Sequence, residues 1–243
     1  MANAIILHRR RSEKIETGSQ TFTRNGTFVA PYSTTYIVAL TGSCHKAGNG
    51  GNGGRGRGYY HSETGFGCAG GGGGGGGGGK APNYVVTADV PLVKGQSYSV
   101  TVNENMVSVA NEISLATGTS AKDGGDARRS GVDIGDHRAG GIGGAGEGSH
   151  VVSTSHTYTT SGRANGTSGQ SGDYGDYADD AETDLWYDGG TGGSGGTTGG
   201  GRGGDGGRCK YIIGDFDKES GESGSSGSAR VIGSITISWG GNG

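Results

Sequence analysis

The residues of this chain that could do chemistry are present but never grouped. Its six histidines, His8, His45, His61, His137, His150 and His156, nowhere pair at the short spacing by which imidazoles share a metal. Serines and aspartates abound, yet none is marked as a nucleophile by its surroundings. Gly48-Asn49-Gly50-Gly51-Asn52-Gly53 satisfies the dinucleotide fingerprint, but no amphipathic helix follows to receive a pyrophosphate. In a chain with 60 glycines such a match arises by chance. Gly200-Gly201-Arg202-Gly203-Gly204-Asp205 approaches a calcium-binding nonapeptide repeat, but its apolar slot holds Gly207 and there is one copy. A polysaccharide depolymerase would need paired carboxylates on rigid strands, whereas the acidic residues here lie in glycine-flanked segments. Neither an enzyme, a cofactor nor a metal is expected.

What remains is recognition chemistry. Tyr59, Tyr60, Tyr158, Tyr174, Tyr177, Tyr187 and Tyr211, seven of the 11 tyrosines, fall in polar segments between glycine tracts, with Trp186 among them. Tyrosine set among Ser, Gly, Asn and Asp is the composition of antibody binding loops, because it supplies a large amphipathic contact area at low rotamer cost. His61, Arg128 and Arg129 lie in the same segments, and Asp173, Asp176, Asp179, Asp180, Glu182, Asp184 and Asp188 form an acidic run. Such a run is either a solvated loop or a surface complementary to a basic patch. Trp186-Tyr187 is the best anchor by composition, since buried aromatics dominate interface energies.

The elements that must position these residues follow from the glycines. Gly70 to Gly79 is an unbroken run of ten, and residues 189–207 repeat Gly-Gly-Xaa with a slip at Thr197-Thr198. A period of three belongs to neither α-helix nor strand but to the extended threefold helix. Fixing a backbone residue costs roughly 1–2 kcal/mol, and glycine buries no side chain in return. A net backbone hydrogen bond contributes about 0.5–1.5 kcal/mol. The tracts must therefore pack side by side to be ordered at all. Gly193→Val or Gly204→Val is expected to be far worse than Thr191→Val.

Around the tracts lie strand signals. Residues 21–24 and 27–30 flank Asn25-Gly26 and predict a hairpin. Residues 35–40 alternate with Tyr36, Val38 and Leu40 on one face, and residues 84–90 and 98–102 follow after the glycine run. Residues 106–110 and 113–117 predict another hairpin, and residues 229–239 a last strand with Val231, Ile235, Ile237 and Trp239 on one face. Only 29% of residues are hydrophobic, too few for a core through the whole chain. The expected fold is an all-β framework of antiparallel strands from both chain ends, carrying a packed polyglycine-II bundle with distal loops and essentially no α-helix.

The net charge of −3 gives no support to nucleic-acid binding. No apolar stretch approaches the ~20 residues a membrane span needs, and no secretory signal is recognised at the amino terminus. Three cysteines, Cys44, Cys68 and Cys209, do not make a disulfide framework and point to assembly in a reducing compartment.

The order Phe22-Thr23-Arg24-Asn25-Gly26-Thr27-Phe28-Val29-Ala30-Pro31, glycine tract, Val93-Lys94-Gly95-Gln96-Ser97-Tyr98-Ser99-Val100-Thr101-Val102, further glycine tracts and Ala229-Arg230-Val231-Ile232 resembles the glycine-rich tip proteins of bacteriophage tail fibres. These include the receptor-recognising adhesins of T-even-like phages, and the resemblance covers residues 21–239. It implies a polyglycine-II sandwich whose distal loops touch a receptor on the host; the acidic run favours an outer-membrane protein as that receptor, with lipopolysaccharide the alternative if divalent ions bridge the charges. The resemblance also implies a place at the distal end of the tail or tail fibre, after synthesis in the host cytoplasm. Four zones are expected: residues 1–20 for attachment to a tail-fibre or tail-tip protein, 21–117 with the framework strands and the first glycine tracts, 118–228 with the glycine-rich bundle and its receptor-binding loops, and 229–243 as the closing strand and tail. In the attachment segment, Ile5, Ile6 and Leu7 are expected to be buried in the partner, beside Arg9, Arg10 and Arg11. A structural tail-tip or decoration protein without receptor contact, and a polyglycine-II ice-binding protein, are the alternatives.

Overall fold

Strands and glycine tracts alternate along the chain, so that it shuttles between a β-framework at one end and a tip at the other. The computed structural model describes residues 14–61, 65–81, 84–129, 137–138, 140–162, 165–178 and 180–240. The expected attachment residues Ile5, Ile6, Leu7, Arg9, Arg10 and Arg11, and also Asp179, lie outside these.

The framework opens with β1 (Gly18–Phe22), β2 (Gly26–Val29) and β3 (Thr34–Thr41). Tract I (residues 47–56) then runs out to a tip hairpin of β4 (Arg57–His61) and β5 (Gly65–Ala69), and tract II (70–79) returns. Next in the framework come β6 (Val85–Leu92), β7 (Ser97–Val102), β8 (Met106–Val109) and β9 (Ile113–Ala116). Tract III (118–127) runs out to β10 (Arg128–Arg129) and β11 (His137–Arg138), and tract IV (140–148) returns to β12 (His150–Thr154) and β13 (Tyr158–Ser161). Tract V (166–176) leads to β14 (Tyr177–Ala178) and β15 (Trp186–Tyr187) at the tip, and tract VI (188–197) returns. A tight turn sends tract VII (199–208) out again to β16 (Cys209–Ile212) and β17 (Asp215–Lys218). Tract VIII (219–228) brings the chain home to β18 (Ser234–Trp239). There is no helix among the described residues, and the fold is all-β with antiparallel sheets, as the alternation of apolar and polar residues implied.

The framework is two five-stranded sheets, β1-β18-β3-β6-β13 and β12-β9-β8-β7-β2. Their facing sides share one apolar core, in which the alternating Tyr36, Val38 and Leu40 meet Val86, Val90, Val100, Val107, Leu115, Ile235 and Ile237, all fully buried. The rings of Phe28, Tyr36 and Trp239 cluster at centroid distances of 5.6–5.8 Å. Lys94 and Gly95 make the turn between β6 and β7, with Gly95 at φ 77°, and the β8–β9 hairpin pairs as expected.

Three expectations are corrected. Residues 21–30 do not form a hairpin: β1 pairs with β18 in one sheet and β2 with β7 in the other. In a two-residue hairpin Phe22 and Phe28 would face opposite sides, whereas the split turns both into the core. Asn25 serves instead as a clasp, its Oδ1 accepting the Val102 N–H at 2.8 Å. Residues 149–188, which read in the sequence as one long irregular insertion between glycine tracts, are not one loop, because β12 and β13 extend the two sheets and tract V follows them. The last strand starts at Ser234 and not at residue 229; Val231 makes only a lone bridge with Cys44.

The bundle is ordered around the ten glycines. Gly70, Gly73, Gly76 and Gly79 donate their N–H groups to tract V at 2.7–2.9 Å. Gly71, Gly74 and Gly77 donate to tract VII at 2.8 Å, and Gly75 and Gly78 to tract III. The carbonyls of tract II in turn accept from tracts I, IV and VI, again every third residue. Tract II thus lies on the axis of a closed ring of six, antiparallel to I, III, V and VII and parallel to IV and VI; tract VIII covers the groove between I and VII. A Cβ at Gly75, Gly76 or Gly79 would run into the backbone carbonyl of Gly141, Ser194 or Thr197. The decaglycine is required because a threefold helix with six neighbours has no outward side. The slip in the triplet repeat is the turn between tracts VI and VII, with Thr198 at φ 63° and Gly199 at φ 92°.

Where a tract does face outward, the third residue is polar and ties neighbours together. Asp123 and Asp126 accept the N–H groups of Asn49 and Asn52 at 2.7 Å. The side chains of Asn49 and Asn52 accept those of Gly227 and Gly224 on the outermost tract.

Candidate functional site

Every loop at the far end of the bundle connects an outgoing tract to a returning one, so the packed backbones fix where the loops stand. Two three-stranded sheets form there, β14-β5-β4 and β15-β16-β17. Between them lies a small core of Cys68, Ala181 and Cys209, with Tyr187, Tyr211 and Phe216 packed against it. Phe66 stacks on Tyr211 at 4.5 Å and 15°, and Tyr60 meets Phe66 edge-on at 5.3 Å. Two glycines make room for rings: a Cβ on Gly67 would enter the Tyr59 ring, and one on Gly58 the Phe216 ring.

The aromatic candidates separate into two groups. Tyr59, Tyr187 and Tyr211 are half-buried and hold the loops. The Tyr59 hydroxyl donates to the Ala178 carbonyl at 3.0 Å, and the hydroxyls of Tyr187 and Tyr211 accept the N–H groups of Glu182 (3.1 Å) and Gly214 (3.4 Å). Tyr60, Tyr174 and Tyr177 instead present their rings outward, 69%, 71% and 63% exposed. Trp186 is half-buried beneath two cations, with the Arg208 guanidinium 4.8 Å and the Lys210 ammonium 5.2 Å from its ring. Tyr174, Tyr177, Leu185, Trp186 and Tyr187 line an open groove of about 580 Å³ together with Asp176.

Tyr158 does not join them. It stands on β13, paired with Ala88 of β6, in the framework sheet at the opposite end of the bundle. Its place within a polar stretch misled, because β12 and β13 carry few apolar residues and sit at the sheet edges. His61 ends β4 and Arg128 and Arg129 form β10, so their backbones reach the tip.

Charge at the tip is more mixed than the run of acids implies. Asp176, Asp180, Glu182, Asp184 and Asp188 are exposed, but Lys210 lies 3.6 Å from Asp184. Arg208 makes a two-pronged pair with Glu219 at 2.9 and 3.0 Å. That pairing lowers the Glu219 carboxyl and raises the Arg208 guanidinium from their ordinary values.

Two features escaped the sequence reading. Ile213, at the apex of the β16–β17 turn, is 87% exposed, with Ile212 and Leu185 also outward. An apolar pair directly before Gly214-Asp215, a turn signal, was the available clue. The second is Phe66, which organises Tyr60 and Tyr211 from a position with no period to reveal it. Compared with known proteins, the chain matches no family model and no curated protein.

Proposed function

We propose that this protein is a bacteriophage tail-fibre tip adhesin, a binding protein that attaches to a host surface receptor through the loops at the distal end of its polyglycine-II bundle. One observation carries the reading: exposed Tyr60, Tyr174, Tyr177, Leu185 and Ile213 are gathered at the end of the bundle opposite the framework. The chain enters the framework at β1, where Thr17 Oγ1 donates to the Gly240 carbonyl at 2.9 Å. Residues 14–17 thus lie at the framework end, opposite the loops, and Gly18 to Gln20 belong to β1 itself; the segment before them is the part we assign to attachment to a tail-fibre or tail-tip protein. Large outward aromatic and aliphatic side chains on a rigid base are the chemistry of an interface, since they bury area with little ordering cost. The acids around the groove favour a basic patch, such as an outer-membrane protein's external loops, over a phosphate-rich lipopolysaccharide without bridging divalent ions.

The test separates the exposed aromatics from those that hold the loops. Replacing both Tyr174 and Tyr177 by alanine should lower adsorption to host cells at least tenfold, with a melting temperature close to that of the parent. Tyr187→Ala should lower the melting temperature as well, because its ring packs on the tip core and its hydroxyl holds Glu182. Normal adsorption of the Tyr174/Tyr177 double variant would favour a structural tail-tip protein without receptor contact.

A further inference from the structure

We propose that Cys68 and Cys209 are the two halves of a disulfide that closes when the protein leaves a reducing compartment, stapling the distal end of the bundle. The two sulfurs lie 2.8 Å apart and both residues are fully buried. They sit on different hairpins, β5 and β16, which belong to different sheets and pack against each other across the tip core. A disulfide needs the sulfurs about 2.05 Å apart, so closure asks for a shift of side chains and not of the scaffold. The third cysteine, Cys44, is at the base of the bundle, where it bridges Val231. An odd cysteine count thus resolves into one pair and one remaining thiol.

The position of the pair is what makes it consequential. Residues 68 and 209 are 141 apart in sequence, and the segment between them contains tracts II to VII. The framework strands already tie the proximal ends of tracts I to V and VIII, and the turn at Thr198-Gly199 joins those of VI and VII. At the distal end the tracts are joined by small sheets of two to five residues per strand, and each glycine there gains much freedom by fraying. A covalent link across the tip removes that freedom from a long loop. It also locks β5 to β16, and with them the Phe66 ring stacked on Tyr211 beneath the exposed aromatics.

The chemistry balances with a small disulfide as oxidant. The thiolate of one cysteine attacks a sulfur of oxidised glutathione and expels one glutathione thiolate. The second cysteine attacks the mixed disulfide and expels the other. Two protons leave the protein thiols, the cysteine pair loses two electrons, and glutathione disulfide becomes two glutathiones. Burial raises both thiols above their ordinary range, so exchange is slow and needs the tip to open. In a reducing compartment the glutathione and thioredoxin pools keep such thiols reduced, so the pair closes only after the protein has left it. None of this rests on the receptor reading; it holds for any route to an oxidising medium.

The test uses the full chain purified under reducing conditions and then incubated with oxidised glutathione, with a reduced sample alongside. After acid quenching, denaturation and alkylation, the oxidised protein should take one alkyl group and the reduced protein three. The non-reduced peptide map should join the Cys68 and Cys209 peptides. The oxidised form should melt roughly 5–15 °C higher than the reduced one, and Cys44→Ala should keep that difference. Three alkylations after prolonged oxidation, a persistent glutathione adduct, a cross-link to Cys44, or a Cys68–Cys209 bond without gain in melting temperature would each overturn the proposal.

Discussion

The β-framework and the glycine bundle are held together by opposite means. In the framework, 19 buried residues supply the stabilisation, and the backbone follows the alternation of their side chains. In the bundle the interior has no side chains, and at least nine of the ten N–H groups of tract II donate to three different neighbours. One region is sensitive to atoms removed, the other to atoms added. Both obey the same requirement that a buried group be met by a partner, whether apolar surface or hydrogen bond. The lesson is that order can extend well beyond a small hydrophobic core, provided that the glycines are close enough to share their backbones.

The sharpest way to break this comparison is to add one methyl group to the axis. Gly76→Ala places a Cβ against the Ser194 carbonyl, which is itself held by the Gln170 N–H at 2.8 Å and cannot step aside. Loss of soluble, cooperatively unfolding protein is the expected result, and a folded variant with near-parental melting temperature would refute the packing argument. Gly193→Val and Gly204→Val should behave similarly, since their Cβ atoms meet the Gln170 and Glu222 carbonyls, whereas Thr191 is exposed. Gly141 provides the internal control: it faces open space, so Gly141→Ala should change stability by no more than about 1 kcal/mol, in the favourable direction.

In the framework the sign reverses. Leu40 is fully buried between the sheets, and truncating it to alanine should cost about 2–5 kcal/mol by lost transfer energy and a residual cavity. Ile37, on the outer face of the same strand, is exposed, and its alanine variant should stay within about 1 kcal/mol. Chemical denaturation of the two variants measures the contrast. Equal losses would mean that β3 is not buried on one face only.

How much of this was readable in the sequence follows the same division. Alternation exposed the buried face of β3, since Tyr36, Val38 and Leu40 each carry a side chain that reports its direction. The triplet period exposed the form of tracts VI and VII but not which tract neighbours which, because glycines carry no side chain to encode a partner. Thr197-Thr198 looked like an error in the repeat and is a reversal of direction. Asn25-Gly26 was misread because a local turn preference lost to five pairs with β18 and four with β7. At the tip, composition found Tyr60, Tyr174 and Tyr177 but could not separate them from Tyr59, Tyr187 and Tyr211. That separation depends on hydrogen bonds to Ala178, Glu182 and Gly214, which form only once distant tracts pack.

The smallest expected effect comes from the outward-facing polar residues of the bundle, and its pH dependence identifies it. Asp205 on tract VII accepts the Gly192 N–H of tract VI at 2.7 Å and pairs with Arg202 at 2.6 Å. The backbone N–H first, and then the Arg202 guanidinium, hold its carboxyl below the ordinary carboxylate value. A carboxyl lowered by folding stabilises the protein above its unfolded pKa, about 3.9, and loses that contribution as pH falls through the folded value. The side chain is partly exposed, so solvent screening keeps the contribution under about 1 kcal/mol. Asp205→Asn should therefore melt slightly below the parent above pH ~5, by no more than ~2–4 °C, with the gap closing below pH ~4. A gap independent of pH would mean that the charge of Asp205 adds nothing to the joint between tracts VI and VII.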